Sequence, residues 1–239
     1  MEEEKEGRKT MVKLWDSPIS IRYIENGVRY YEIGDMRFPS VTSVLSRTRD
    51  EESREVLAKW ELENPGVKEE RAAIGTKMHE LIEGRLRLEG TEQANYLMTT
   101  MDFNDEACKM YQHYCKWFKD RTVIPHVIEG TVYWASPEGW GFAGSVDLVA
   151  TVNGDLCIVD HKSSKKSKRL EWIKDYILQV SAYSKAIKSM YDVDIKGAYI
   201  NVARSNGFQS FYLDYYQIVD GWQEFYGRLK QYNDREKTN

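Results

Sequence analysis

Residues 141–162 read GFAGSVDLVATVNGDLCIVDHK, two apolar runs joined by Asn153-Gly154. Asn-Gly at a two-residue connection favours a type I′ turn, because both residues tolerate positive φ, so the stretch reads as a β-hairpin. The turn pairs Val152 with Asp155. Counting outward along the two strands places Asp147 opposite Asp160 and Ser145 opposite Lys162. Side chains alternate across a strand, so Asp147, Asp160 and Lys162 share one face with Val149 and Ile158, while the His161 side chain points to the other. Two directly opposed carboxylates repel. Protonation of one of them, neutralisation by Lys162, or a divalent cation between them would relieve the repulsion. A surface hairpin edge with an incidental Asp–Lys pair is the plainer alternative.

Strand-like segments surround this hairpin. HVIEGTVYW precedes it, and GAYINVA and FQSFYLD follow a helix expected from about Leu170 to Met190. A closing helix is expected from about Tyr216 to Tyr232. Earlier, SIRYIENGVRYYEI reads as a hairpin around Asn26-Gly27, and FPSVTSVLSRT as a helix start with Ser40 as N-cap. Helical periodicity continues through ESREVLAKWELEN, from Glu69 to about Arg87, and from about Asp102 to Lys119. These elements predict an α/β (α+β) chain with a central mixed sheet flanked by helices and a helix-rich N-terminal half. Residues 11–239 form one domain in this reading, with a helical cover over about 38–121.

Two helical pairs could add to the site. His79 and Glu83 lie at i, i+4 near Gly75, which permits a close approach; Gln179 and Tyr183 lie at the same spacing. Polar helix surfaces alone would explain both. The run KSSKKSKR, Lys162 to Arg169, carries five basic residues and no acid. It is either a solvated loop or a phosphate-attracting patch.

The 239 residues are 41% hydrophobic and 30% charged with a net charge of −4, which excludes a uniformly basic nucleic-acid binder but not a local patch. No apolar run reaches the roughly 18 residues of a membrane span. Three scattered cysteines argue against disulfide, zinc and iron–sulfur frameworks and fit a reducing cytoplasm. The opening MEEEKEGRKT, residues 1–10, reads as a disordered tail, neither a secretory signal nor a mitochondrial transit peptide.

Taken in order, Gly75-x-x-x-His79, Gly144-x-x-Asp147, Asp160-x-Lys162 and Gln179-x-x-x-Tyr183 resemble the RecB-like branch of the PD-(D/E)XK nucleases. Within it, the Phe38–Thr48 segment, LCIVDHKSS and LQVSAY are similar to the mitochondrial genome maintenance exonucleases and their phage and bacterial relatives. The resemblance implies a restriction-endonuclease-like core and a metal-dependent DNA exonuclease acting on single-stranded or flapped ends in replication, repair or recombination. A structure-specific or double-strand endonuclease of the same fold, or a catalytically silent nucleic-acid-binding module, are the alternatives. It further implies that Asp147 and Asp160 bind one or two Mg²⁺ or Mn²⁺ ions with His79 and the His161 backbone carbonyl, Glu129 being a weaker candidate. Lys162 would orient or deprotonate the attacking water. Gln179 and Tyr183 would hold the active-site side or the DNA strand, and Ser163, Ser164, Lys165 and Lys166 would meet its phosphates. The missing targeting signals set the expected location in a bacterial or phage-infected cytoplasm.

Overall fold

A computed structural model describes residues 14–88, 102 and 104–237. The expected tail at 1–10, and part of the expected helical cover, lie outside the described residues. A first, three-stranded antiparallel sheet contains β1 (Ile21–Glu25), β2 (Val28–Ile33) and β3 (Met36–Pro39). Helices α1 (Val41–Arg47), α2 (Glu51–Glu63), α3 (Val67–Leu88) and α4 (Glu106–Lys119) follow. The second sheet has β4 (Val123–Ala135), β5 (Gly141–Val152), β6 (Asp155–Ser163), β7 (Gly197–Arg204) and β8 (Gly207–Asp214) in spatial order β4-β5-β6-β7-β8. Helix α5 (Lys174–Tyr191), entered through a 3-10 turn at Leu170–Ile173, carries the chain from β6 to β7, and α6 (Tyr215–Glu236) closes it.

The expected mixed sheet is present: β6 and β7 run parallel, and the other neighbours are antiparallel. A parallel pair needs a crossover, and α5 supplies it. Cys157, Ile158 and Val159 are buried because helices cover both faces of the central strand. On one face, α1, α5 and α6 pack Val44, Leu178 and Phe225 against Ile158 and Ile200. On the other, α3 and α4 pack Met78, Ile82, Met110 and Tyr114 against Leu148 and Val159.

Ser40 caps α1 as its sequence requires, accepting the Ser43 N–H at 3.0 Å. The residues just before it, read above as the run-in to a helix, instead form β3, whose Phe38 pairs with Tyr31. Four extended residues ending on an N-cap carry too little alternation to announce a strand.

Register along β5 and β6 follows the Asn153-Gly154 turn from Val152–Asp155 to Leu148–Val159 and stops there. Asp147 and Asp160 are therefore not a rung of the ladder, and neither are Ser145 and Lys162. The cause lies across β5. Glu129 on β4 has φ +50°, and neither it nor Asp147 forms a rung although Ile128–Leu148 and Gly130–Val146 do. Beyond this break the pleat changes phase. Phe142 and Val146 face α5 and α6, whereas Leu148, Ala150 and Val152 face α3 and α4.

Candidate active site

The break in the pleat aims Glu129 and Asp147 toward α3. His79 on that helix puts Nδ1 3.7 Å from Glu129 Oε1 and 3.8 Å from Asp147 Oδ1. One donor atom from each of the three residues lies within 4.8 Å of the others. His79 Nε2 donates to the His161 carbonyl at 2.9 Å, which fixes the ring with Nδ1 toward the carboxylates. The His161 carbonyl, expected as a metal ligand, thus accepts the imidazole N–H and orients it. Ser145 Oγ steadies Glu129, donating to Oε2 at 2.9 Å. Burial alone would lower the His79 pKa, but the Asp147 charge and the Glu129 contact raise it to about 9. A protonated His79 would offset part of the charge of the two carboxylates.

Asp160 stands apart from this trio. Its side chain is 1% exposed, and Lys162 Nζ lies 2.9 Å from Oδ1 in a hydrogen bond and 2.7 Å from Oδ2. Burial raises the Asp160 pKa to about 6 against the opposing pull of Lys162. For Lys162, desolvation pulls downward, yet Asp160 and Asp147 raise its pKa above the ordinary lysine value. Lys162 is therefore an ammonium, and its Nζ also lies 5.2 Å from the Tyr176 ring centroid. Asp147 faces both groups of charges: its Oδ2 accepts the His161 backbone N–H at 2.6 Å, and its pKa is raised by burial.

The remaining expected residues divide between support and surface. Gln179 and Tyr183 are buried, and Gln179 Nε2 donates to the Tyr183 hydroxyl at 3.0 Å. A Cβ on Gly144 would lie 2.5 Å from the Tyr183 ring, so Gly144 admits that ring under β5. Buried in this way, the pair packs beneath β5 on the active-site side. Ser164, expected to meet a phosphate, is also buried. Its hydroxyl donates to the Lys166 carbonyl at 2.7 Å and accepts the Lys166 N–H, closing a turn. Ser163 is half-buried, and a Cβ on Gly75 would come 3.1 Å from its Oγ, so α3 sits close over the end of β6. Lys165 and Lys166 are exposed. Glu83 pairs with Arg87 at 2.7 Å.

An oxygen-rich set with one imidazole suits a hard divalent cation, and the convergence of His79, Glu129 and Asp147 fits that chemistry. A sequence profile of the PD-(D/E)XK nuclease superfamily matches residues 37–233. The chain belongs to the PD-(D/E)XK nuclease superfamily. Two curated relatives of this superfamily member are similar over most of it: mitochondrial genome maintenance exonuclease 1 of Homo sapiens, 26% identical over 216 residues, and that of Mus musculus, 25% identical over 221. Each alignment takes in 84% of this chain, and 59% and 60% of the respective relatives, so the chain spans about three-fifths of their length. Both are mitochondrial exonucleases by name, which overturns the expectation of a bacterial or phage-infected cytoplasm.

Two features of the superfamily member's site carry no sequence signal. Tyr114 on α4 contacts His161 Nδ1 through its hydroxyl, with the two rings edge-on at 4.4 Å. This locks the His161 side chain on the face away from Asp160. Asp175, at the start of α5, accepts from Arg49 Nη2 at 3.1 Å and from Arg228 Nη1 at 2.7 Å, tying three elements together beside Tyr176. These partners are 126 and 53 residues from Asp175, beyond any spacing pattern.

Proposed function

We propose that this protein is a metal-dependent DNA exonuclease that prefers single-stranded or flapped ends. The observation carrying the reading is the pairing of two charge clusters across the strand end of β6. His79, Glu129 and Asp147 converge within 4.8 Å, and the buried Lys162–Asp160 pair lies beside them. The relatives' name supplies the exonuclease component of the reading.

His79 Nδ1, Glu129 and Asp147 would hold a Mg²⁺ or Mn²⁺ ion. Bound there, a divalent cation makes water more acidic and neutralises phosphate charge. The His161 carbonyl keeps the imidazole turned toward that position, and the His161 N–H keeps Asp147 in place. Lys162, held charged by Asp160, orients the attacking water and stabilises the charge that develops on the phosphoryl oxygens. As an ammonium it is a poor base, which favours this role over proton abstraction. Asp160 holds Lys162 in place and adds a second carboxylate beside Asp147 for the cation. Preference for single strands rests on the basic loop, where Lys165, Lys166 and Arg169 are exposed and Arg169 lies 5.2 Å over the exposed Trp172 ring. Charge beside an aromatic face holds a strand without reading its sequence.

Digestion of end-labelled single strands, duplexes and covalently closed single-stranded circles with Mg²⁺ or Mn²⁺ tests the proposal. Linear strands should be degraded from an end and circles should survive. Cleavage of circles would replace the exonuclease reading with the endonuclease one, and cleavage sustained in excess EDTA would remove the metal.

A further inference from the structure

A second cleft lies where the end of α3 and the end of α4 meet the start of β4. It encloses about 430 Å³ and is lined by Arg85, Lys116, Lys119 and Arg121, with the Phe118 ring among its apolar walls and no carboxylate among the described residues of its lining. In a protein of net charge −4 this is an unusual concentration of one sign. The larger cleft beside α2, of about 1030 Å³, offers the contrast. There Arg49 and Arg228 are matched by Asp175, and Lys174 by Glu224. In the smaller cleft, the Arg121 guanidinium is stacked 4.8 Å over Trp117 and bonded to the Trp117 carbonyl, which presets its position. Lys116 and Lys119 reach in from the exposed end of α4.

Its place relative to the active site gives it a role. His79 and Leu86 are on the same helix, and Leu86 lines the cleft. Seven residues of α-helix cover roughly 10 Å. Along the sheet, Glu129 and the cleft residue Pro125 are four residues apart on β4, roughly 13 Å. The exposed Arg87 projects from α3 between the two sites and donates to the Ile128 carbonyl at 3.0 Å. A strand with one phosphate at the acidic cluster would meet the cationic cleft a few nucleotides away.

We propose that this cleft is a second phosphate-binding site, holding the backbone of a nucleic-acid strand whose end occupies the active site. The proposal rests on the nuclease reading for its ligand. Free nucleotides carry the same phosphate chemistry, and the test separates them. Fluorescence anisotropy in EDTA, where no cleavage intervenes, would compare a labelled dinucleotide, too short to reach from the acidic cluster to the cleft, with a single strand of about twenty nucleotides, longer than a typical single-strand site. Replacing both lysines, Lys116→Gln with Lys119→Gln, should weaken the long strand several-fold and leave the short one within twofold. For the long strand, the logarithmic salt slope should become shallower by about 1.4, at roughly 0.7 per lost phosphate contact. Lys116→Arg with Lys119→Arg should retain the wild-type slope, which separates charge from packing.

Long-strand binding and salt slope equal to wild type in the Gln pair would overturn the proposal, as would a wild-type protein that binds no long strand. A deoxynucleoside monophosphate that loses affinity in the Gln pair, while the long strand does not, would reassign the cleft to free nucleotide and overturn the strand. The two readings fail separately. A protein that shows the length-dependent loss yet never cleaves DNA with metal keeps the cleft and loses the nuclease function.

Discussion

Asp147 Oδ2 accepts the backbone N–H of His161 at 2.6 Å, in the position where the next rung of the β5–β6 ladder would run. The carboxylate both replaces a main-chain hydrogen bond and faces His79, so a single side chain closes the hairpin and supplies negative charge to the site.

Those two duties separate by substitution. Asp147→Asn keeps an oxygen for the His161 N–H and removes the charge. It should unfold within about 1 kcal/mol of wild type in EDTA yet lose cleavage by orders of magnitude. Asp147→Ala leaves that N–H unsatisfied and should cost about 1–3 kcal/mol in addition to activity. Urea titrations alongside an end-labelled cleavage assay check both.

Lys162→Ala should cost more than a surface lysine does. It leaves Asp160, 1% exposed, without its counter-ion, and breaking such a buried pair costs about 3–5 kcal/mol. Cleavage should fall to background. Lys162→Met combined with Asp160→Asn should recover much of the stability and none of the activity. Equal stability of Lys162→Ala and the double variant would show that the pair does not couple in this way.

His79 sets a pH window for the metal-free protein. Its pKa is raised from 6.5 to about 9 in the folded chain, so its contribution to stability is fully present below 6.5 and is lost as pH rises through 9. In EDTA, wild type should lose stability across that window relative to His79→Gln. A cation must displace the same proton, so affinity should rise with pH up to about 9. Calorimetry of Mn²⁺ binding in buffers of different ionisation enthalpy counts the proton released.

Gly144→Ala should destabilise through Tyr183. The new methyl would stand 2.5 Å from the ring, and overpacking of this kind costs about 1–3 kcal/mol. Shrinking the neighbour with Tyr183→Leu should return part of that loss in the double variant, read by thermal unfolding. Simple additivity of the two single changes would deny the contact its role.

The Asn153-Gly154 turn made β5 and β6 legible because a two-residue loop fixes pairing outward from itself. The alternation that sent the His161 side chain away from Asp160 and Lys162 was legible for the same reason. Pairing is legible only while the pleat stays regular. Nothing around Glu129 announces positive φ, so the change of phase that moved Asp147 toward α3, and brought Glu129 beside it, was invisible. The turn that Ser164 closes with Lys166 was not legible, because a hydroxyl beside lysines looks the same in sequence whether it meets a phosphate or its own loop. Tyr114, Asp175 and the cationic cleft depend on elements brought together from far along the chain.

Lys162 is at once a cation of the site and the only partner within bonding distance of the buried Asp160 among the described contacts. A lineage of this protein that abandoned its chemistry could not drift at that lysine alone without burying a bare charge. Its descendants should carry compensated changes at both positions, so joint replacement of Asp160 and Lys162 would be the genetic mark of a homologue retired from catalysis but still folded.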